Sequence, residues 1–146
     1  MDERKKEILM LLYAQGNSEK INEPIEGSIK LMKELFLLEK EFGMNIFGFI
    51  AYDLGPCSFQ VYVDIDSLKE EGFVNESSNK GKKHKTYSLS QHGINITEKL
   101  FEDLDNDVKS KILKIKKEFN SMNTHNLIVY VYKNYPEFTA RSKYII

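Results

Sequence analysis

The sequence lacks the cysteine pairs, nucleotide-binding motifs and histidine spacings that indicate disulfides, nucleotide sites or metal sites. Its 146 residues include one cysteine, Cys57, which excludes an internal disulfide and a cysteine-based zinc cage. It contains neither Gly-x-x-x-x-Gly-Lys-(Ser/Thr) nor Gly-x-Gly-x-x-Gly. The three histidines, His84, His92 and His125, do not have the i, i+4 spacing of a helical metal site. We therefore expect a protein that is not an enzyme and that has no metal and no cofactor.

Long apolar runs are also missing. The longest candidates, around residues 42–52 and 120–132, are shorter than a membrane span and contain polar residues. The chain begins with the charged stretch MDERKKE, so we expect no secretory leader, no membrane partner and a cytoplasmic location. Apolar residues make up 41% and charged residues 29% of the chain, as in folded globular proteins, and the length suits a single domain, 1–146.

Arginine is scarce, and the two halves of the chain differ in charge. Only Arg4 and Arg141 accompany 19 lysines. Residues 1–78 hold 8 basic against 15 acidic residues, a net of −7, whereas residues 79–146 hold 13 against 7, a net of +6. This asymmetry indicates contact with nucleic acid or another polyanion. Alternatively, the two halves neutralise each other within the fold or across a dimer.

Apolar periodicity predicts six helices and a small sheet. The expected helix starts are the caps Asp2 and Ser28, residue 57, the cap Ser90, the residue after Asp105, and about residue 123. The third helix covers about residues 57–71, and its buried edge comprises Cys57, Val61, Ile65 and Leu68. The stretch NIFGFIAYDLGP before it predicts a strand and a turn. The sixth segment, about 123–134, fits a strand as well as a helix because it is rich in Val and Tyr.

A basic hairpin is predicted between the third and fourth helices. Phe73 and Val74 start one strand, and Tyr87 and Leu89 alternate with polar residues on the returning strand. The tip and the start of the returning strand carry Lys80, Lys82, Lys83, His84 and Lys85.

The stretch LKEEGFVNESSNKGKKHKTYSLSQHG resembles the winged-helix pattern of prokaryotic transcription regulators: a helix ending in acids and glycine, a hairpin wing, and a Leu-(Ser/Thr)-x-x-Gly step, here Leu89 to Gly93. A wider set is similar to the YwgA-like proteins and, more distantly, to the Panacea domain of SocA-type antitoxins. This set comprises Lys33 with Leu37 and Leu38, the turn from Tyr52 through Gly55, Pro56 and Ser58, and Tyr135-Pro136.

These resemblances imply a fold class that is mainly α with a small antiparallel β-hairpin (α+β). Within it we expect a winged-helix-like core over 1–104 and a helical extension over 105–146.

The expected function is nucleic-acid binding, with DNA as the target, by a regulator-like protein. Lysines of a mobile wing neutralise backbone phosphates with little sequence information. At the start of the third helix, the candidate base-contacting residues are Ser58, Gln60 and Tyr62. Residues 57–71 nevertheless hold four acids against Lys69, a net of −3, and no arginine, so only modest sequence discrimination is expected.

Other interpretations remain open. The acidic third helix, and the long insertion from Gly43 to Pro56 before it, favour a protein-interaction module, either antitoxin-like or an adaptor. The lysine-rich wing is also compatible with a turn that is merely solvated. The fifth helix, with an apolar seam and five lysines on its other faces, is compatible with a solvated core helix, a phosphate-binding face, or the interface of a homodimer.

Overall fold

The computed structural model describes residues 1–78, 81 and 84–145, which contain six helices and five short strands. The helices are α1 Glu3–Tyr13, α2 Ser28–Phe42, α3 Phe59–Glu70, α4 Gln91–Glu102, α5 Asn106–Phe119 and α6 Thr124–Asn134. The strands are β1 Ile25–Glu26, β2 Ile50–Tyr52, β3 Gly55–Cys57, β4 Val74–Ser78 and β5 Lys85–Leu89, and a 3-10 turn, Pro136–Thr139, follows α6. Within these residues no helix is long and apolar enough to cross a bilayer.

The predicted fold class is confirmed: the protein is mainly α with small antiparallel sheets. Strands β4 and β5 pair as the predicted hairpin, with Val74 opposite Leu89, and β1 adds to the other edge of β5, giving the order β1-β5-β4. The succession α1-β1-α2-α3-β4-β5 with this sheet order forms a winged-helix-like core. Strands β2 and β3 form a second antiparallel hairpin inserted between α2 and α3.

Two predicted helix caps, Asp2 and Ser90, are present, and Asp105, the residue before the predicted fifth helix, caps α5. The carboxylate of Asp2 accepts a hydrogen bond from the Lys5 amide (2.9 Å), Ser90 Oγ accepts from Gly93 (3.0 Å), and Asp105 accepts from Val108 (2.9 Å). These bonds satisfy amide groups that the first turn of a helix leaves without partners. Gly43 ends α2 in the left-handed conformation, φ 70°, which glycine adopts readily.

Several local predictions were wrong. The cap position of α2 is Gly27, at φ 103°, and Ser28 is already the first helical residue. Helix α3 begins at Phe59, because residues 56 and 57 pair with β2 and place Cys57 in β3 instead of on the helix edge. Strand β1 was not predicted, because its two residues beside Pro24 are too few to show an alternation of apolar and polar side chains. The segment with two interpretations, 123–134, is a helix capped by Asn123.

One apolar cluster joins the core region to the C-terminal helices. Leu35 and Leu38 of α2 belong to the same cluster as Ile112 of α5 and Leu127 and Val131 of α6. Helix α2 packs against both α5 and α6, so the apolar seam of α5 is covered by its own chain. The seam is therefore unavailable as the surface of a homodimer.

Lys116 of α5 lies in the interior and completes the end of α1, although the sequence placed the five lysines of this helix on its outer faces. Its side chain is fully buried, and its Nζ donates to the carbonyl oxygens of Leu11 and Leu12, both at 2.9 Å. The neighbouring carbonyls of Met10 and Tyr13 accept from the amides of Ala14 and Asn22. All four terminal carbonyls of α1, which a helix cannot satisfy itself, therefore have partners.

Candidate interaction surface

Helix α3 presents an apolar outer face to solvent. Val61, Ile65 and Leu68 are buried on its inner side, whereas Phe59, Tyr62 and Val63 are 53%, 43% and 60% exposed. The three exposed residues have i, i+3, i+4 spacing, which places them side by side on one surface of the helix. We call these three residues the apolar α3 face. Single exposed apolar residues are common, but three adjacent ones mark a surface with a potential partner.

The β2–β3 hairpin extends this face at the start of α3. The Tyr52 ring contacts Phe59 edge-on, with ring centroids 5.2 Å apart, and the Arg141 guanidinium lies over Tyr52 at 5.6 Å. The Lys143 amide donates to the Asp53 carbonyl oxygen at 2.8 Å, which holds the C-terminal segment against the hairpin turn. The insertion recognised between Gly43 and Pro56 thus flanks the first turn of α3.

The three predicted base-contacting residues have different environments. Ser58 is 2% exposed, and its Oγ donates to the Phe47 carbonyl oxygen at 2.7 Å, so no hydroxyl is presented at the surface. Gln60 is half-buried and donates from Nε2 to Asp64 Oδ1 at 3.0 Å. Of the three, Tyr62 has the side chain most open to solvent.

Part of the acidic charge of α3 is neutralised by α1. Asp64 is buried and accepts two hydrogen bonds from Arg4, at 2.8 and 3.3 Å. Glu71, just after the helix, pairs with Lys5 at 2.8 Å. These partners lie 60 or more positions away in sequence, so the local charge count could not reveal them. Asp66 and Glu70 remain on the solvent side.

Acidic side chains also lie close to basic residues of the wing, which is the hairpin of β4 and β5. Glu76 on β4 accepts from Lys69 at 2.7 Å and lies 3.3 Å from Lys85 Nζ, and the Lys69 hydrogen bond is the main cause of its lowered pKa. His84 Nε2 is 3.8 Å from a Glu26 carboxylate oxygen. Two of the five predicted phosphate-contacting residues therefore face carboxylates. The other three, Lys80, Lys82 and Lys83, lie outside the described residues.

A groove of about 610 Å³ separates α3 from the wing. Its lining contains both acidic and basic residues: Asp66 and Glu76 are acidic, and Lys69, His84 and Lys85 are basic. Duplex phosphates entering this groove would meet two carboxylates as well as the basic groups, and the attraction would be correspondingly reduced.

The remaining candidate chemical groups are separated from each other. Cys57 is half-buried, and burial raises the pKa of its thiol, which disfavours the reactive thiolate. His92 stacks on Phe73, and His125 Nδ1 lies 2.7 Å from the Tyr144 hydroxyl. Across the described part of the chain, no three His, Cys, Asp or Glu side chains come together as a metal site.

The apolar α3 face was missed at the sequence level although a signal was present. Residues 59, 62 and 63 form one apolar stripe and residues 61, 65 and 68 form another on the opposite side. A helix that is apolar on two sides is either fully buried or has one side reserved for a partner. No protein-family model and no curated protein matches this chain.

Proposed function

We propose that this protein is a non-enzymatic protein-interaction module that docks a segment of another protein on the apolar α3 face. One observation carries the proposal. On the helix that leads into the wing, Phe59, Tyr62 and Val63 each expose between 43% and 60% of their surface to solvent. Burying apolar surface contributes about 25 cal/mol per Å². Aromatic side chains are also enriched at the centres of protein interfaces.

The charge around this face defines the chemistry of the partner. Asp66 and Glu70 continue the stripe of Phe59 and Val63 at helical spacing, one and two turns further along. Asp66 is 72% exposed and lies 3.9 Å from Lys69, whose Nζ is already engaged by Glu76. A complementary segment carries one or two apolar side chains followed by Lys or Arg. Such a partner gains both apolar burial and charge complementarity.

Selection from a random-peptide display library tests the proposal directly. With the wild-type protein as bait, we expect enrichment of peptides that combine Leu, Phe or Trp with Lys or Arg. The double variant Phe59→Ser, Val63→Ser should retain these peptides at least about tenfold less well, because each lost apolar contact weakens binding by about 1 kcal/mol or more.

The matched control is the variant Met44→Ser, Ile46→Ser. It removes two exposed apolar residues, 42% and 39% exposed, from the loop after α2. Peptide retention by this control should equal that of the wild type. Equal retention by the α3 double variant, or enrichment of acidic peptides, contradicts the proposal.

A second candidate function rests on the hairpin itself. The sequence of the wing contains four lysines, and in winged-helix proteins such a hairpin lies against nucleic-acid backbone. We propose weak, non-specific contact with duplex phosphate as this second function. It is supported by the +6 charge of residues 79–146 and opposed by the carboxylates beside Lys85 and His84.

Fluorescence anisotropy with a random-sequence duplex across a salt series separates the two functions. If the wing contacts phosphate, log affinity falls linearly with log salt concentration, and the slope becomes shallower when Lys80, Lys82, Lys83 and Lys85 are changed together to Ala. The Phe59→Ser, Val63→Ser variant serves as the control and should leave the slope unchanged. Absence of binding at low salt excludes the second function and leaves the docking proposal intact.

A further inference from the structure

A cavity lies between α2, the β2–β3 hairpin and the start of α3. Its volume is about 230 Å³, and its apolar lining includes Ile29, Met32, Tyr52, Phe59 and Tyr62. Lys33 of α2 contributes the basic group. Binding sites for drug-sized molecules measure about 300–1,000 Å³, so this cavity suits a smaller molecule, with one ring or a short chain.

Lys33 is an unusual lining residue because its ammonium is buried without an acidic partner. The side chain is 2% exposed, and Nζ donates one hydrogen bond, to the Pro56 carbonyl oxygen at 3.0 Å. An ammonium carries three donors, and a buried charge is costly unless it is paired. Within the described residues no carboxylate forms an ion pair with Lys33. Burial accordingly lowers the pKa of this lysine to about 8.

Other buried lysines of the protein differ from Lys33. Lys116 donates to two carbonyl oxygens. Burial lowers the pKa of Lys116 to about 8 as well, but the acidic side chains of Glu34 and Glu23 lie close enough to oppose that lowering. Lys33 lacks both the second carbonyl and the acidic neighbours, and it lines a cavity. Lys33 therefore has donors and charge left for an external anion.

We propose that this cavity binds a small monocarboxylic acid with an apolar body, whose carboxylate pairs with Lys33 and whose body packs against Met32, Tyr52 and Phe59. A charge-assisted hydrogen bond in a low-dielectric cavity is stronger than one between neutral groups. The apolar lining of the cavity packs against the rest of the ligand, which is its apolar body.

Asp53 restricts the ligand to a single acidic group. It is the one carboxylate lining the cavity among the described residues, and its Oδ1 lies 3.7 Å from Lys143 Nζ at the outer side. A second negative group on the ligand would be repelled by Asp53. The inference does not depend on the proposed docking function, because binding of the acid is measured without a protein partner.

Calorimetric titration with three acids and their neutral amides tests this site. The probes are phenylacetate, 3-phenylpropionate and hexanoate, each compared with the corresponding amide. We expect saturable binding of at least one carboxylate and about tenfold or more weaker binding of its amide. Cys57 provides a second readout, since it also lines the cavity and is the only cysteine. Its alkylation by iodoacetamide should slow when a carboxylate is bound.

The variant Lys33→Met should lose the preference for acid over amide while remaining folded, because it replaces a buried charge with an apolar chain of similar length. Lys30→Met is the matched control. Lys30 is also on α2 and nearly buried, but its Nζ donates to the Asn120 carbonyl oxygen and it does not line the cavity. This control should keep the preference.

Three results would overturn the proposal. These are no saturable binding of any of the three carboxylates, equal affinity for acid and amide, or a preference that survives in Lys33→Met. Circular dichroism verifies that the variants are folded. If Lys33→Met is unfolded, Ile29→Phe replaces it, because a larger ring fills the cavity and leaves Lys33 in place. Unchanged carboxylate binding by Ile29→Phe then overturns the proposal.

Discussion

The interior around α2 contains ionisable groups, whereas the outer face of α3 contains apolar ones. The buried charged side chains include Glu7, Lys30, Lys33, Glu34, Glu39 and Lys116, each at most 8% exposed. The exposed large apolar side chains include Ile50, Phe59, Tyr62 and Val63, each at least 43% exposed. Both groups are exceptions to the usual distribution of polar and apolar residues, and each needs its own physical explanation.

The buried lysines are explained by backbone groups. Lys30, Lys33 and Lys116 each donate to at least one main-chain carbonyl oxygen, of Asn120, Pro56, and Leu11 with Leu12 respectively. The carbonyls of Leu11, Leu12 and Asn120 lie at helix C-termini, and that of Pro56 lies in the short strand β3. A long cationic side chain therefore substitutes for the missing amide donors.

The buried carboxyl groups are explained by protonation. Burial raises the pKa of Glu34 to about 8, and neither of its oxygens has a hydrogen-bond partner within the described residues. Burial, followed by a hydrogen bond to Glu39, raises the pKa of Glu7. A neutral carboxylic acid costs less to bury than a carboxylate, so these groups fold in their protonated form near neutral pH. No such adaptation explains the apolar α3 face, which is why we assign it to a partner.

The largest effect on stability should come from removing the buried charge of Lys116. In Lys116→Met the carbonyls of Leu11 and Leu12 lose their donor, and the free energy of unfolding should fall by about 3 kcal/mol. The matched control is Lys111→Met on the same helix, since Lys111 is one-third exposed and pairs with Asp107 at 3.2 Å. Its effect should be under about 0.5 kcal/mol. Urea denaturation measures both, and similar losses would contradict the role assigned to Lys116.

The next largest effect should come from Glu7, as a change in how the stability depends on pH. Because Glu7 has a raised pKa in the folded state, the fold retains a proton that the unfolded chain releases above about pH 4.3. Wild-type stability should therefore decrease as pH rises from about 5 to 8. Glu7→Gln mimics the protonated form, so it should match the wild type near pH 5 and exceed it by about 2 kcal/mol at pH 8.

Chemical denaturation at pH 5 and pH 8 measures this difference. The control is Glu3→Gln, also on α1, because the Glu3 side chain is 81% exposed. Its stability should follow the wild-type pH dependence. A Glu7→Gln variant whose stability declines with pH as steeply as the wild type would show that Glu7 is ionised in the fold.

Much of the fold could be predicted from local sequence. Six helices, the caps Asp2 and Ser90, the helix start after Asp105, and the hairpin of β4 and β5 all follow from spacing within a few residues. Strand β1 could not be predicted, because its two residues become a strand only by pairing with β5, about 60 positions away. The burial of Lys116 was missed for the same reason, since its partners are on α1.

The candidate site was predicted less well than the fold. Ser58, Gln60 and Tyr62 were selected as polar groups at the start of α3, but exposure is set by neighbours distant in sequence. Phe47 accepts a hydrogen bond from Ser58, and the β2–β3 hairpin flanks the helix start. The wing lysines and their proposed phosphate contact stay a prediction.

The smallest effect should come from Val63, and Val61 supplies its contrast. Both residues are valines of α3, two positions apart, but Val61 is 2% exposed and Val63 is 60% exposed. Val61→Ala should cost about 2 kcal/mol, because it removes two buried methyl groups and leaves a cavity. Val63→Ala should change stability by under about 0.5 kcal/mol, since alanine favours the helix and little burial is lost. A loss at Val63 comparable to that at Val61 would mean that the outer face is covered within the folded chain. A negligible change, together with weaker peptide retention, would identify Val63 as a residue that serves binding and contributes little to folding.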